Sequence, residues 1–413
     1  MDFLYFNNHS SNFLELEEAK NTHMTHIEDL VLDGGVDGTR DAINALRSLR
    51  DMMKGDSNTS HSVTVKWDGA PAVFAGIDPS DGEFFVAKKG IFNKNPKVYK
   101  SHSDIDDDTS GDLSTKLKIA YTELKKLNIK GVLQGDIMFT KSDLKKERID
   151  GESYITFHPN TIVYAVPFDQ ADPLLQSKIG VVWHTKYEGS SFEDMSASFL
   201  IDISKLNKTK SVWMRTADLE DLSGTATMTK DETDLVTSHL SSAGKIFRKI
   251  SSSTLKLVAQ DSEINLLINT FNNTKVRSQE RITDPKKHTS DLIDWINARY
   301  QKQIDKLKSV KGKERKTAAR DKTLEFFSPS NKTNLRLMFE LQNYLVDAKE
   351  ILISKMNRVS SISTFVKTKN GFKVTGTEGY VAINRDGNAV KLVDRMEFSS
   401  NNFNPNIIKG WEK

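Results

Sequence analysis

The pattern of apolar and polar positions changes character three times along the chain. Up to about residue 60, apolar residues recur at three- and four-residue steps: Ile27, Leu30 and Val31, then Ala42, Ile43, Leu46 and Leu49, with Arg40, Arg47 and Arg50 on other faces. That period predicts amphipathic helix. The glycine-rich link between the two runs, Asp33–Thr39, lacks the Gly-Lys-[Ser/Thr] ending of a P-loop and reads as a helix–helix turn. From Val63 the pattern shifts to short β-runs, Val63–Trp67, Pro71–Gly76 and Glu83–Gly90, the last two separated by the turn signal Asp78–Gly82. An antiparallel sheet is expected here. Further strands are expected at Gly131–Phe139, Tyr154–Phe157 and Thr161–Phe168. Beyond Val181–Trp183 the chain is rich in Ser, Thr and Lys and then turns helical, with a long amphipathic stretch over about Thr233–Lys355. Strand patterns return at Gly371–Thr375, Gly379–Ile383 and Ala389–Val393, with Arg385–Asn388 as a hairpin turn. These last strands are expected to complete the sheet begun at Val63.

A chain of 413 residues exceeds the ~100–200 residues usual for one domain. The shifts of pattern divide it into an N-terminal helical segment (1–60), the first part of a β-rich core (61–200), a helical, basic insertion (201–365) and the last core strands (366–413). The acidic run Asp104–Asp108 alternates like an EF-hand loop, but Thr109 and Thr115 stand where that loop needs Gly and Glu. It reads as a solvated loop, with Ser110 or Asp112 capping a helix that runs to about Leu127.

Composition narrows the function. No apolar run approaches the ~20 residues that cross a bilayer, so an integral membrane protein is not expected. Met1–Ser11 carries no positive n-region followed by an apolar h-region, and no secretory signal is read there. Cysteine is absent, which excludes disulfides, thiolate zinc sites and cysteine nucleophiles and fits a cytoplasmic chain. The net charge of +3 is close to neutral for this length, so nucleic-acid affinity must come from local clustering. Arg299–Lys322 supplies it: ten Lys and Arg residues against Asp305, Glu314 and Asp321, with Trp295, Tyr300, Phe326 and Phe327 nearby.

The candidate chemistry centres on Lys66, placed between apolar runs in Val63–Gly76. A buried ammonium must be paired or have its pKa depressed, and the second outcome makes lysine a nucleophile. Asp68 points to the same face if the strand continues, Gly69 allows close backbone approach, and Pro71 fixes φ after it. Four features follow in order: Lys88-Lys89-Gly90 at a strand end, Asp136 inside the apolar run Gln134–Ile137, the aromatics of Tyr164–Asp169, and Glu378-Gly-Tyr-Val381 followed by Val390-Lys391-Leu392. His158 and His184 have no ligand or triad spacing and read as structural.

This ordered set resembles the covalent nucleotidyltransferase superfamily of ATP-dependent RNA and DNA ligases and mRNA capping enzymes, with the Glu-Gly-Tyr-Val segment most similar to phage-type RNA ligases. The whole chain also resembles tailed-phage proteins of unassigned role. The resemblance covers Val63 to about Asp169 and Gly371–Asp394. It implies an α+β fold with an antiparallel-sheet nucleotidyltransferase (ATP-grasp-like ligase) core carrying the N-terminal helices and the helical insertion. It further implies ATP and Mg²⁺ or Mn²⁺ as cofactors and Lys66 as the nucleophile that takes AMP. Lys391 would contact the α-phosphate, Asp136 and Glu378 would hold the metal, and Asp68, Gly69, Lys88 or Lys89, and Tyr164 or Phe168 would line the nucleotide. Nucleic acid, RNA in preference to DNA, would be the acceptor, through its 5'-phosphate and in part through Arg299–Lys322, in the host cytoplasm for a phage protein. The chain departs from the ligase pattern at Val393, where a second lysine is usual, and it ends too soon after this motif for an OB domain. The alternatives are RNA guanylylation, AMP transfer to a protein, or a binding protein that has lost turnover.

Overall fold

The structure is a computed structural model that describes residues 24–55, 61–199, 201–219, 228–358, 362–386 and 388–412. The expected helical character of residues 1–23, the reading of Met1–Ser11 and Gly387 of the expected hairpin lie outside the described residues. The chain is a mixed α+β protein, with largely antiparallel sheets and many helices.

The first helical period becomes helix Gly35–Lys54, which buries Ala42, Ile43, Leu46 and Leu49. A short helix, Leu30–Asp33, precedes it, and the break falls at Gly34. The glycines allow the two helices to cross in contact: a Cβ on Gly38 would lie 2.5 Å from Leu30 O. The acidic run is a helix, not the expected loop. Ser101 and Asp104 form a reciprocal capping box that starts helix His102–Asp108, and local capping therefore outweighs the repulsion within the run.

Three sheets follow. The first orders strands His61–Lys66, Gly379–Asn384 and Ala389–Leu392, all antiparallel, so the two ends of the β-rich sequence meet in it. The second orders Val212–Thr216, Ile179–Glu188, Val132–Thr140, Ala72–Ile77 and Phe84–Ala87; its one parallel pair is Val212–Thr216 with Ile179–Glu188. The third orders Gly371–Val374, Ser363–Thr368, Ile162–Pro167, Glu152–Phe157 and Lys145–Ile149. The β-runs on either side of Lys66-Trp-Asp-Gly69 thus lie in different sheets, whereas their closeness in sequence suggested one. The strand stops at Lys66, Trp67 stacks on Tyr164 with ring centroids 5.1 Å apart, and Asp68 is tied to residues 160–162. Asp68 consequently leaves the face on which Lys66 lies.

The segment expected to be a helical insertion, 201–365, also holds strand Val212–Thr216 and the start of strand Ser363–Thr368; between Lys230 and Met356 lie six helices. They share one apolar core with helix Gly35–Lys54, and Val63, Tyr380, Ala382 and Leu392 of the first sheet are buried in that same core. One face of the three-stranded sheet therefore rests on the helices. Residues alternate along a strand, so Lys66, Val381 and Lys391 fall on the opposite face, which is where the candidate site lies.

Candidate functional site

Lys66 and Lys391 occupy neighbouring positions on that free face. Lys66 is paired in register with Gly379, and Lys391 with Val381 two residues further along. Gly379 holds φ at +149°, and a Cβ there would meet Leu392 O at 2.7 Å, so the strand accepts only glycine at this point. Glu378, just before it, forms an ion pair through Oε1 with Lys66 Nζ; the two side chains are 11% and 27% exposed. Burial raises the Glu378 carboxyl above the ordinary range against the opposing pull of Lys66. Burial lowers the Lys391 ammonium, and the neighbouring Lys66 cation lowers it further.

The facing wall comes from the second sheet. Asp136 on Val132–Thr140 is paired with Ala72, and burial pushes its carboxyl up to about 7, with Lys66 the main opposing influence. Gly69 crosses this strand so closely that a Cβ on it would be 2.4 Å from Asp136 Cβ, which explains the glycine of Lys-x-Asp-Gly by close approach. His184 sits at a register shift between strands Val132–Thr140 and Ile179–Glu188: Gln134 pairs with Thr185, Gly135 with Trp183, and the extra residue between them is His184. Such bulges re-aim side chains. Its Nε2 lies 3.7 Å from Asp136 Oδ2, and burial brings the imidazole down to about 4, assisted by Lys66 and Lys89. The sequence reading gave His184 only a structural part, because a bulge leaves no mark in hydrophobic alternation.

The remaining predicted residues divide. Lys89 is exposed, makes no ion pair among the described residues, and lies near enough to influence Asp136, His184 and Lys391. Lys88 instead pairs with Asp108 at 2.9 Å. The Asp68 carboxylate accepts hydrogen bonds from Asn160 Nδ2 (2.6 Å) and the backbone N–H groups of Thr161 (2.7 Å) and Ile162 (2.9 Å), which makes it a staple between sheets. The backbone N–H of Asp68 donates to Tyr164 Oη at 2.7 Å. Tyr164 is buried, its ring stacked between Trp67 and Phe157, and presents no open face. Phe168 is exposed beside Lys146, whose Nζ lies 3.7 Å from the ring centroid. The structure therefore gathers Lys66, Glu378, Asp136, Lys391 and Lys89, with His184 added, and directs Asp68, Lys88, Tyr164 and Phe168 to other contacts.

Among the described residues no group of three or more His, Asp or Glu side chains is arranged to hold a metal ion. Asp136 and Glu378 still fit Mg²⁺ or Mn²⁺, because such ions use one or two carboxylates and take their other oxygens from water and phosphate. Val393, at the position of the second ligase lysine, is buried. No helix among the described residues is long and apolar enough to cross a membrane.

The basic segment forms part of a helical hairpin, Pro285–Lys306 and Val310–Glu325. In the second helix only Thr323 is buried. Among the described residues, Arg320–Asp321 is the one ion pair made by the basic side chains of residues 299–322. Arg299 lies over the Trp295 ring and Lys316 over that of Tyr300.

The class of protein is thus an α+β fold in which two facing sheets bring Lys66, Glu378 and Lys391 from one side and Asp136 from the other to a single site. The chain belongs to a family of unknown function (DUF6267), whose profile matches residues 21–407. No curated protein and no solved structure matches it.

Proposed function

We propose that this protein is an ATP-dependent nucleotidyltransferase that carries AMP on Lys66 and delivers it to the 5'-phosphate of a nucleic acid, RNA in preference to DNA, as a ligase does. The observation that carries this reading is the meeting of Lys66, Asp136 and Lys391, from three strands in two sheets, with Glu378, which immediately precedes strand Gly379–Asn384. Lys66 Nζ attacks the α-phosphorus of ATP; the new P–N bond replaces the P–O bond to pyrophosphate, which leaves in line. The amine must shed a proton to solvent before it attacks, and Glu378, in ion-pair contact with Nζ, orients it. Lys391 and Lys89 place positive charge beside the transferring phosphoryl group. Asp136 and Glu378 would hold Mg²⁺ or Mn²⁺, which supplies charge neutralisation on the phosphates. The acceptor strand is held in part by Arg299–Lys322.

A second reading, a nucleotide- or nucleic-acid-binding protein without turnover, is favoured by Val393, which removes one phosphate contact of the ligase pattern. Incubation with α-labelled ATP or GTP followed by denaturing electrophoresis separates the readings. Label retained from ATP and lost in Lys66→Ala is expected. Label from GTP alone indicates guanylylation, and none from either indicates a binding protein. Label that persists in Lys66→Ala overturns the nucleophile.

A further inference from the structure

The transfer chemistry leaves one side chain of the site unused, His184. It is the extra residue between the pairs Gln134–Thr185 and Gly135–Trp183, so the bulge takes it out of the strict alternation of strand Ile179–Glu188. Its side chain is 26% exposed and that of Asp136 21%, so both open onto the site instead of being sealed in the sheet. His184 Nδ1 lies 2.8 Å from Oγ1 of Thr185, a buried residue. With Nδ1–H donated to that hydroxyl, the lone pair of the ring is on Nε2, which stands opposite Asp136.

Nε2 and Asp136 Oδ2 are 3.7 Å apart. That is beyond the roughly 3.2 Å limit of a hydrogen bond, so the two atoms do not satisfy each other. Donor atoms bound at about 2.1 Å to one divalent ion lie about 3.0 Å apart when they are neighbours in an octahedron, so a shift of under about 1 Å brings both onto one ion. A histidine that binds metal through one ring nitrogen commonly donates the N–H of the other, which fixes ring and tautomer. Thr185 is placed for that part.

We propose, on the basis of the nucleotidyltransferase reading, that His184 Nε2 joins Asp136 as a ligand of the divalent ion that accompanies ATP, and that this nitrogen favours a first-row transition ion such as Mn²⁺ over Mg²⁺. Mg²⁺ keeps to oxygen donors, whereas imidazole adds affinity for the transition ions. Lys66 and Lys89 act electrostatically on both Asp136 and His184, and their positive charge opposes a bare ion there. The ion therefore enters with the polyphosphate, whose negative charge offsets theirs, and phosphate and water complete its shell.

Pulsed EPR of the full chain with Mn²⁺ and α,β-methylene-ATP, which cannot transfer AMP, tests this without turnover. Modulation from a directly bound nitrogen is expected in wild type and in Lys66→Ala; its loss in His184→Gln assigns it to the imidazole and not to adenine. Mn²⁺ affinity of the same complex should fall about tenfold in His184→Gln and in Thr185→Val, which removes the hydroxyl that holds the ring. Thr185→Ser, which keeps the hydroxyl, should bind Mn²⁺ as wild type does, and Mg²⁺ affinity, measured by competition, should change by a smaller factor in His184→Gln. A bound Mn²⁺–nucleotide complex without nitrogen modulation, or modulation that survives in His184→Gln, overturns the ligand and leaves nucleotide transfer standing. Failure to form any such complex also overturns it, and labelling on Lys66 by ATP then judges the transfer separately.

Discussion

His184 Nε2 lies 3.7 Å from Asp136 Oδ2, and burial moves these partners in opposite directions, Asp136 up to about 7 and His184 down to about 4. Both are favoured in their neutral forms. The folded-state pKa of Asp136 lies above its unfolded value near 3.9, so its contribution to stability is full below that pH and is lost as pH rises toward 7. His184 lies below its unfolded value near 6.5, so stability is lost as pH falls from there toward 4. In EDTA, Asp136→Asn should therefore gain on wild type as pH rises from 4 to 7, and His184→Gln should gain as pH falls from 6.5 to 4. The gain should reach about 2 kcal/mol in each case, after discounting for partial exposure. Urea unfolding across that range checks this; curves that run parallel to wild type would remove the titrations from the site.

Asp68→Ala should destabilise the fold by about 3 kcal/mol, since it leaves the buried N–H groups of Thr161 and Ile162 without their acceptor. Asp68→Asn keeps an amide oxygen there and should lose less. Chemical denaturation distinguishes them, and wild-type stability in the alanine variant would free this carboxylate for a direct role with nucleotide.

Lys349→Met should cost about 3–5 kcal/mol, because Glu28, buried at 3% exposure, would keep its charge after losing its closest cation. The double variant Glu28→Leu, Lys349→Met should recover part of that loss. Denaturant midpoints measure both. If the single variant is as stable as wild type, Arg395, 3.7 Å from Glu28, suffices alone.

Neutralising Lys311, Lys313, Arg315 and Lys316 together should weaken nucleic-acid binding and flatten its salt dependence by ~0.7–0.9 in the log–log slope for each phosphate no longer neutralised by the protein. Binding of a single-stranded RNA and a nicked duplex at several salt concentrations measures the slope. Labelling by ATP should be unchanged. Equal slopes would make the charges a solvated face, and loss of labelling would join this hairpin to the nucleotide site.

What the sequence determined by itself is local. Three- and four-residue periodicity marked helix Gly35–Lys54 and the helices of the insertion, because one apolar stripe must face a core. Short continuous apolar runs bounded by turn residues marked strands such as Ala72–Ile77 and Gly379–Asn384, which are buried along most of their length. Of the candidate site, the lysines and carboxylates were legible as charged residues set in apolar runs, where burial makes them conspicuous. Strand Lys145–Ile149 was not, since its lysines, glutamate and arginine lie at a sheet edge where alternation is weak. Only tertiary structure decided which strands pair. It sent the chain from one sheet to another at Asp68, through hydrogen bonds to residues more than ninety positions away. It likewise turned Lys88 to Asp108, buried Tyr164 between two rings, and set His184 against Asp136 through a register shift. Side-chain direction at a strand end, a bulge or a surface ion pair depends on partners distant in sequence, and no local pattern encodes those partners.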